Sequence, residues 1–126
     1  MPNKKRYLLL KSIIPYLQNE KDGDELFIQY KDKKIAPAKS KFYKVTGDSI
    51  EINIEIPLGK TEKWVALELW EFDRLSPNDL LGHFKLLIDQ SSDNFTAELI
   101  RQKESAAKYV LNWELIERLN KKVKSV

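Results

Sequence analysis

The chain has 126 residues, enough for one hydrophobic core and too few for two. It is 42% hydrophobic and 33% charged, which excludes a disordered tail, and it has no cysteine, which excludes disulfides, thiolate chemistry and cysteine-built zinc sites. The net charge of +3 suits solubility and weakly favours anionic partners, without the clustering that a nucleic-acid footprint needs.

Met1–Lys5 reads as a frayed basic arm. The apolar run that follows breaks at Lys11-Ser12, so no signal peptide is expected, and no stretch approaches the roughly 20 apolar residues of a membrane-spanning helix. Tyr7–Ile14 reads as a strand buried on much of both faces. Gln18–Asp24 has the composition of a loop, and Glu25–Tyr30 alternates as a short strand. Lys31-Asp32-Lys33-Lys34 reads as a tight polar turn, and Ile35–Lys39 as a brief edge strand that tolerates Pro37.

Ser49–Ile56 carries the clearest pattern. Ile50, Ile52, Ile54 and Ile56 share one face, and Glu51, Asn53 and Glu55 the other, which is a strand with one dry side. Gly47-Asp48 and Pro57-Leu58-Gly59-Lys60 supply the turns around it. In Trp64–Phe72, Val65, Leu67 and Leu69 line one face, while Trp64, Ala66, Trp70 and Phe72 line the other. Trp64 and Trp70 read as core, with Trp113 meeting one of them across the sandwich, or as a contact surface. His83–Ile88, Asn94–Leu99 and Lys108–Ile116 also alternate, and the last ten residues read either as helical turns or as a basic tail. Seven or eight short strands with no helix between them predict an antiparallel sandwich in a single domain, 1–126, with 1–5 and 118–126 peripheral.

Catalytic chemistry is not expected. His83 is the single histidine and cannot build a metal cluster alone, and no nucleophile motif or phosphate loop accompanies the four glycines. Acidic residues concentrate instead in two loops, Glu20, Asp22, Asp24 and Glu25 in the first, and Glu71, Asp73 and Asp79 with Asn78 in the second. Calcium takes about six to eight oxygens, mostly carboxylate and carbonyl, from an adaptable loop cage. The other reading of these acids is solvated loop charge, paired by Lys21, Lys63 or Arg74. The spacing between the loops decides the matter. A shared carboxylate cage favours calcium, and basic side chains filling that space disfavour it.

Val65–Phe84 (VALELWEFDRLSPNDLLGHF) resembles the C2-domain segment in which a strand ending runs through a loop to an Asn-Asp pair and a Leu-Gly. Trp70-Glu71-Phe72-Asp73 and Asn78-Asp79-Leu80-Leu81-Gly82 carry that likeness, and Asp22-Gly23-Asp24-Glu25-Leu26-Phe27-Ile28 is similar to the family's strand entry. The resemblance implies an all-β, antiparallel, eight-stranded C2-like β-sandwich with both acidic loops at one end. It places Glu71, Asp73 and Asp79 on third-loop ligand positions and Asp24 on a first-loop position, with Asp22 as the substitute for an earlier aspartate that falls on Gln18. Gln18, Glu71 and Glu25 depart from the family pattern.

The function expected is that of a non-catalytic C2-like binding module mediating protein–protein interaction or assembly. Calcium-dependent binding to anionic phospholipid membranes is the alternative, with calcium held by Asp22, Asp24, Glu71, Asp73 and Asp79. Leu75 and Pro77 would then touch lipid, unless Leu75 tucks under its own loop. Nucleic acid is not an expected partner, because the lysines look interleaved with acids. The expected location is the cytoplasm of a bacterial cell, including peripheral membrane sites and secretion-related assemblies.

Overall fold

The computed structural model describes residues 4–17, 23–88, 95–102 and 107–119. The strands are β1 (Lys4–Leu17), β2 (Glu25–Tyr30), β3 (Lys33–Ala36), β4 (Tyr43–Lys44), β5 (Ile50–Leu58), β6 (Trp64–Glu71), β7 (Asp79–Leu87), β8 (Phe95–Glu98), β9 (Ile100–Arg101) and β10 (Lys108–Leu119). They form two sheets. The first has the order β5-β1-β10-β8, and the second β3-β2-β6-β7-β9 with β4 also against β2. Every pairing is antiparallel. The eight-stranded expectation differs from this by the two short strands β4 and β9, each of two residues.

Alternation builds the core. Leu26 and Ile28 of β2, Val65, Leu67 and Leu69 of β6, and Phe84 and Leu86 of β7 face inward from the second sheet. Leu8, Leu10 and Ile13 of β1 meet them from the first, with Tyr109, Leu111 and Trp113 of β10. Burying each leucine or isoleucine fully contributes about 1.5–3 kcal/mol. On β5, Ile52 and Ile56 are buried and Ile50 and Ile54 partly so, as the isoleucine stripe predicts. Asn53 interrupts that strand at φ 51, where the register against β1 slips. Asparagine tolerates this left-handed conformation, and the resulting bulge blunts an edge strand.

Several boundaries move. β1 begins at Lys4, so Lys4 and Lys5 belong to a strand that pairs with Leu119 and Arg118 of β10. A strand there replaces the expected helical turns up to Leu119, and the rest of the tail lies outside the described residues. The β2–β3 turn is only Lys31-Asp32, both at positive φ, while Lys33 and Lys34 pair with β2. Two successive positive-φ residues match the twist of the flanking strands, as a two-residue hairpin requires. Pro57 and Leu58 continue β5 rather than turn. Trp113 stacks on Phe95 with centroids 4.5 Å apart and meets neither Trp64 nor Trp70 across the sandwich, because those two lie on the outer face of β6.

Glycine matters where β9 crosses β7. A Cβ on Gly82 would lie 2.3 Å from the Ile100 carbonyl oxygen, so only glycine admits that pairing.

Candidate functional site

The loop-bearing end of the sandwich brings some of the predicted acids together and separates others. Gly23, at φ 91, turns the chain so that Asp24 enters the interior, where it is fully buried. The main chain fixes it there. Val45 N donates to Asp24 O at 2.9 Å, and Phe72 N to Glu25 O at 2.8 Å. Leu26 pairs with Glu71 across β2 and β6, which puts Glu71 on the core-facing side two residues from the level of Asp24. Asp24 and Glu71 are the buried charged residues among those described.

From the opposite sheet comes Tyr109, a side chain with no exposed surface, whose hydroxyl donates a short hydrogen bond to Asp24 Oδ2. Burial first, then the Asp24 carboxylate and the charge of Glu71, push the Tyr109 hydroxyl well above its ordinary pKa. The sequence marked Tyr109 only as an inward-facing strand residue.

Asp73 turns outward into its own loop. Its Oδ1 accepts from Leu75 N at 2.9 Å and its Oδ2 from the Ser76 hydroxyl at 2.5 Å, while Asp73 N donates to Asn78 Oδ1 at 2.8 Å. These donors, the Ser76 hydroxyl first, hold the Asp73 carboxyl below the usual carboxylate range. Asp79 is exposed at the start of β7, opposite Glu71 in register. Asp22 lies outside the described residues. Among the described residues no three His, Cys, Asp or Glu side chains come together as a metal site. Asp24 is held by a hydroxyl and Asp73 by its loop. Leu75 is not tucked in but 97% exposed, and Tyr16 and Leu17 at the end of β1 are exposed as well.

A second region emerges on the outer face of the second sheet. Phe27 stacks against Trp70, centroids 6.2 Å apart, and Phe42 against Phe72 at 5.4 Å. Phe27 and Phe72 floor a groove of about 350 Å³ whose sides are Gln29, Lys34, Lys41 and Asn78. Lys41 Nζ sits 5.7 Å above the Phe72 ring. Residues 31–44 contain six lysines and one aspartate, a charge of +5, so the remaining chain carries −2 of the overall +3. All six of these lysines are exposed. The whole-chain average concealed this cluster, and lysine density in a short window would have found it.

No protein-family model and no curated protein matches the chain. A solved structure titled "Structure of a C2 domain" aligns with a TM-score of 0.52 at 12% identity, covering 90% of this chain and 98% of that one. At that identity the likeness speaks to architecture alone. With the all-antiparallel two-sheet sandwich, it shows that the fold is C2-like.

Proposed function

We propose that the chain is a non-catalytic binding module whose working surface is the lysine-rimmed aromatic groove, and that its partner is an acidic segment of another protein. The observation that supports this is that Lys34 and Lys41, drawn from a +5 segment, line a groove floored by Phe27 and Phe72, two rings that each stack on a further aromatic. Aromatic floors supply contact area at low entropic cost, and a basic rim selects and steers an acidic partner. A groove of this size takes one or two side chains, and flanking carboxylates would reach Lys34 and Lys41.

The test is affinity capture from source cells with wild type and a Lys34→Glu/Lys41→Glu variant, followed by calorimetry with the captured protein. We expect the double charge reversal to weaken binding by about tenfold or more, and wild-type binding to fall as salt rises. Equal capture by both forms, indifferent to salt, sinks this reading.

A second reading rests on a different observation. Leu75, Tyr16 and Leu17 expose large apolar groups at the loop-bearing end, next to the exposed Arg74. That combination suits an anionic lipid surface, where a basic residue contributes about 1 kcal/mol. Sedimentation with phosphatidylserine vesicles separates the two readings. Loss of vesicle binding in Leu75→Ser with groove variants unaffected favours the membrane.

A further inference from the structure

We infer that β6 carries a second binding site at its Trp64 end, where an open main-chain edge pairs with a short extended segment of a partner protein that brings an arginine or lysine. β6 outruns its neighbour β2. On one side it pairs with β7 from Trp64↔Leu87 to Glu71↔Asp79. On the other side the pairing with β2 stops at Gln29↔Glu68, because β2 ends at Tyr30 and the chain turns back through Lys31-Asp32. Among the described residues, 64–67 therefore have a paired strand on one side only.

The hydrogen-bond phase identifies the groups left open. Phe72 N donates to Glu25 O at 2.8 Å, so the even-numbered residues of this strand direct N–H and C=O toward β2. Ile88 N donates to Lys63 O at 2.8 Å, so the odd-numbered ones face β7. Trp64 and Ala66 thus aim their main-chain donors and acceptors past the last β2 pairing, where no strand among the described residues receives them. The surroundings of that edge select a cation. It opens into a groove of about 360 Å³ whose lining includes the carboxylates of Asp32, Glu62 and Glu68 against the single ammonium of Lys31, a charge of −2 on a chain of net +3. Lys31 itself lies over the Tyr30 ring, 5.1 Å from its centroid. Trp64 is 60% exposed, and an indole is the aromatic surface a cation prefers. When an extended peptide adds to a sheet edge, main-chain bonds supply affinity and the neighbouring side chains choose its sequence. The lysine-lined groove shares none of these residues, and the inference does not rest on it.

Amide-resolved NMR of the intact chain tests this, with two blocked pentapeptides as probes, Thr-Val-Arg-Val-Thr and its glutamate-centred counterpart. Without peptide, the Ala66 amide is expected to exchange with solvent about tenfold or more faster than those of Val65 and Leu67, which face β7. The arginine peptide at millimolar concentration should shift the Ala66 amide and Trp64 indole signals saturably and slow Ala66 exchange. The glutamate peptide should leave both signals in place. Ala66→Pro removes the donor at a position where the strand has no partner to lose, and should abolish the response. Should that variant fail to fold, Trp64→Ser, at an exposed position, should weaken binding about threefold or more with the Ala66 amide as readout. Four results overturn the inference: Ala66 exchange as slow as that of Val65 without peptide, no response to the arginine peptide, equal responses to both peptides, or a response that persists in folded Ala66→Pro. A concentration-dependent dimer abolished by Ala66→Pro also overturns it, because the edge would then belong to a second copy of this chain.

Discussion

At one end of the sandwich a neutral hydroxyl, Tyr109, holds a buried acid; at the other a cation, Arg6, gathers main-chain carbonyls. The Arg6 guanidinium reaches Gly59 O at 2.7 Å, Glu62 O at 3.0 Å, Ile88 O at 3.2 Å and Lys60 O at 3.4 Å. Both arrangements tie the two sheets, because Arg6 lies on β1 and Ile88 follows β7. They differ in exposure. The Tyr109–Asp24 bond is buried, whereas the Gly59 and Lys60 contacts of Arg6 are exposed. Water can replace a lost partner at the Arg6 end and cannot at the other. The buried end should therefore be the brittle one.

Tyr109→Phe is the sharpest way to break this comparison. It removes a donor from a buried carboxylate and should cost about 2–3 kcal/mol, measured by chemical denaturation. The same residue sets a pH limb. Its pKa is raised in the folded chain, so the stability it contributes is intact below the unfolded value of about 10 and is lost as the pH rises beyond it. Tyr43, raised by burial, adds to the same limb. The denaturation midpoint of wild type should fall above about pH 10, and fall less steeply in Tyr109→Phe. An unchanged slope would mean that the tyrosine is not shielded as described.

Arg6→Gln tests the other end. Several of its contacts survive as water-mediated bonds, so the expected cost is about 1 kcal/mol, smaller than for Tyr109→Phe. Arg6→Lys should recover only part of that, because an ammonium cannot fork toward separate carbonyls. If Arg6→Gln cost more than Tyr109→Phe, the contrast between a brittle and a forgiving end would be reversed.

What the sequence disclosed follows the same division between local and distant partners. Alternation identified the inward stripes of β5, β6, β7 and β10, because a period of two is a local property of the chain. The motif around Glu71–Gly82 located the loop-bearing end and the fold. Arg6, next to the arm Met1–Lys5 that read as frayed, was given no role because its acceptors lie 53 to 82 residues away and are main-chain atoms, which leave no trace in composition. Asp24 was singled out for its carboxylate and its partner Tyr109 was not, since nothing in an alternating strand distinguishes a tyrosine that packs from one that donates to a buried acid. The lysine cluster was legible and went unread, hidden by acids elsewhere in the chain.

The smallest effect sharpens the comparison from the Arg6 side. Asp32 is the second residue of the β2–β3 turn, exposed and at φ 65. It lines a groove with Tyr30, Glu62 and Trp64, close to the carbonyls that Arg6 collects. Glu62 in turn accepts from Gly59 N and the Tyr30 hydroxyl, so this turn belongs to the forgiving end. Glycine reaches positive φ without the steric cost that an L side chain meets there, and gives back some of that gain as unfolded-state entropy. Asp32→Gly should therefore stabilise the chain by about 0.5 kcal/mol, read as a higher denaturant midpoint at unchanged slope. A gain here, at an exposed turn that needs no particular side chain, would contrast with the loss expected at Tyr109, where one hydroxyl has no substitute. A loss of 1 kcal/mol or more, by about the same measure, would show that the Asp32 carboxylate makes a contribution of its own and that this end is less tolerant than its exposure implies.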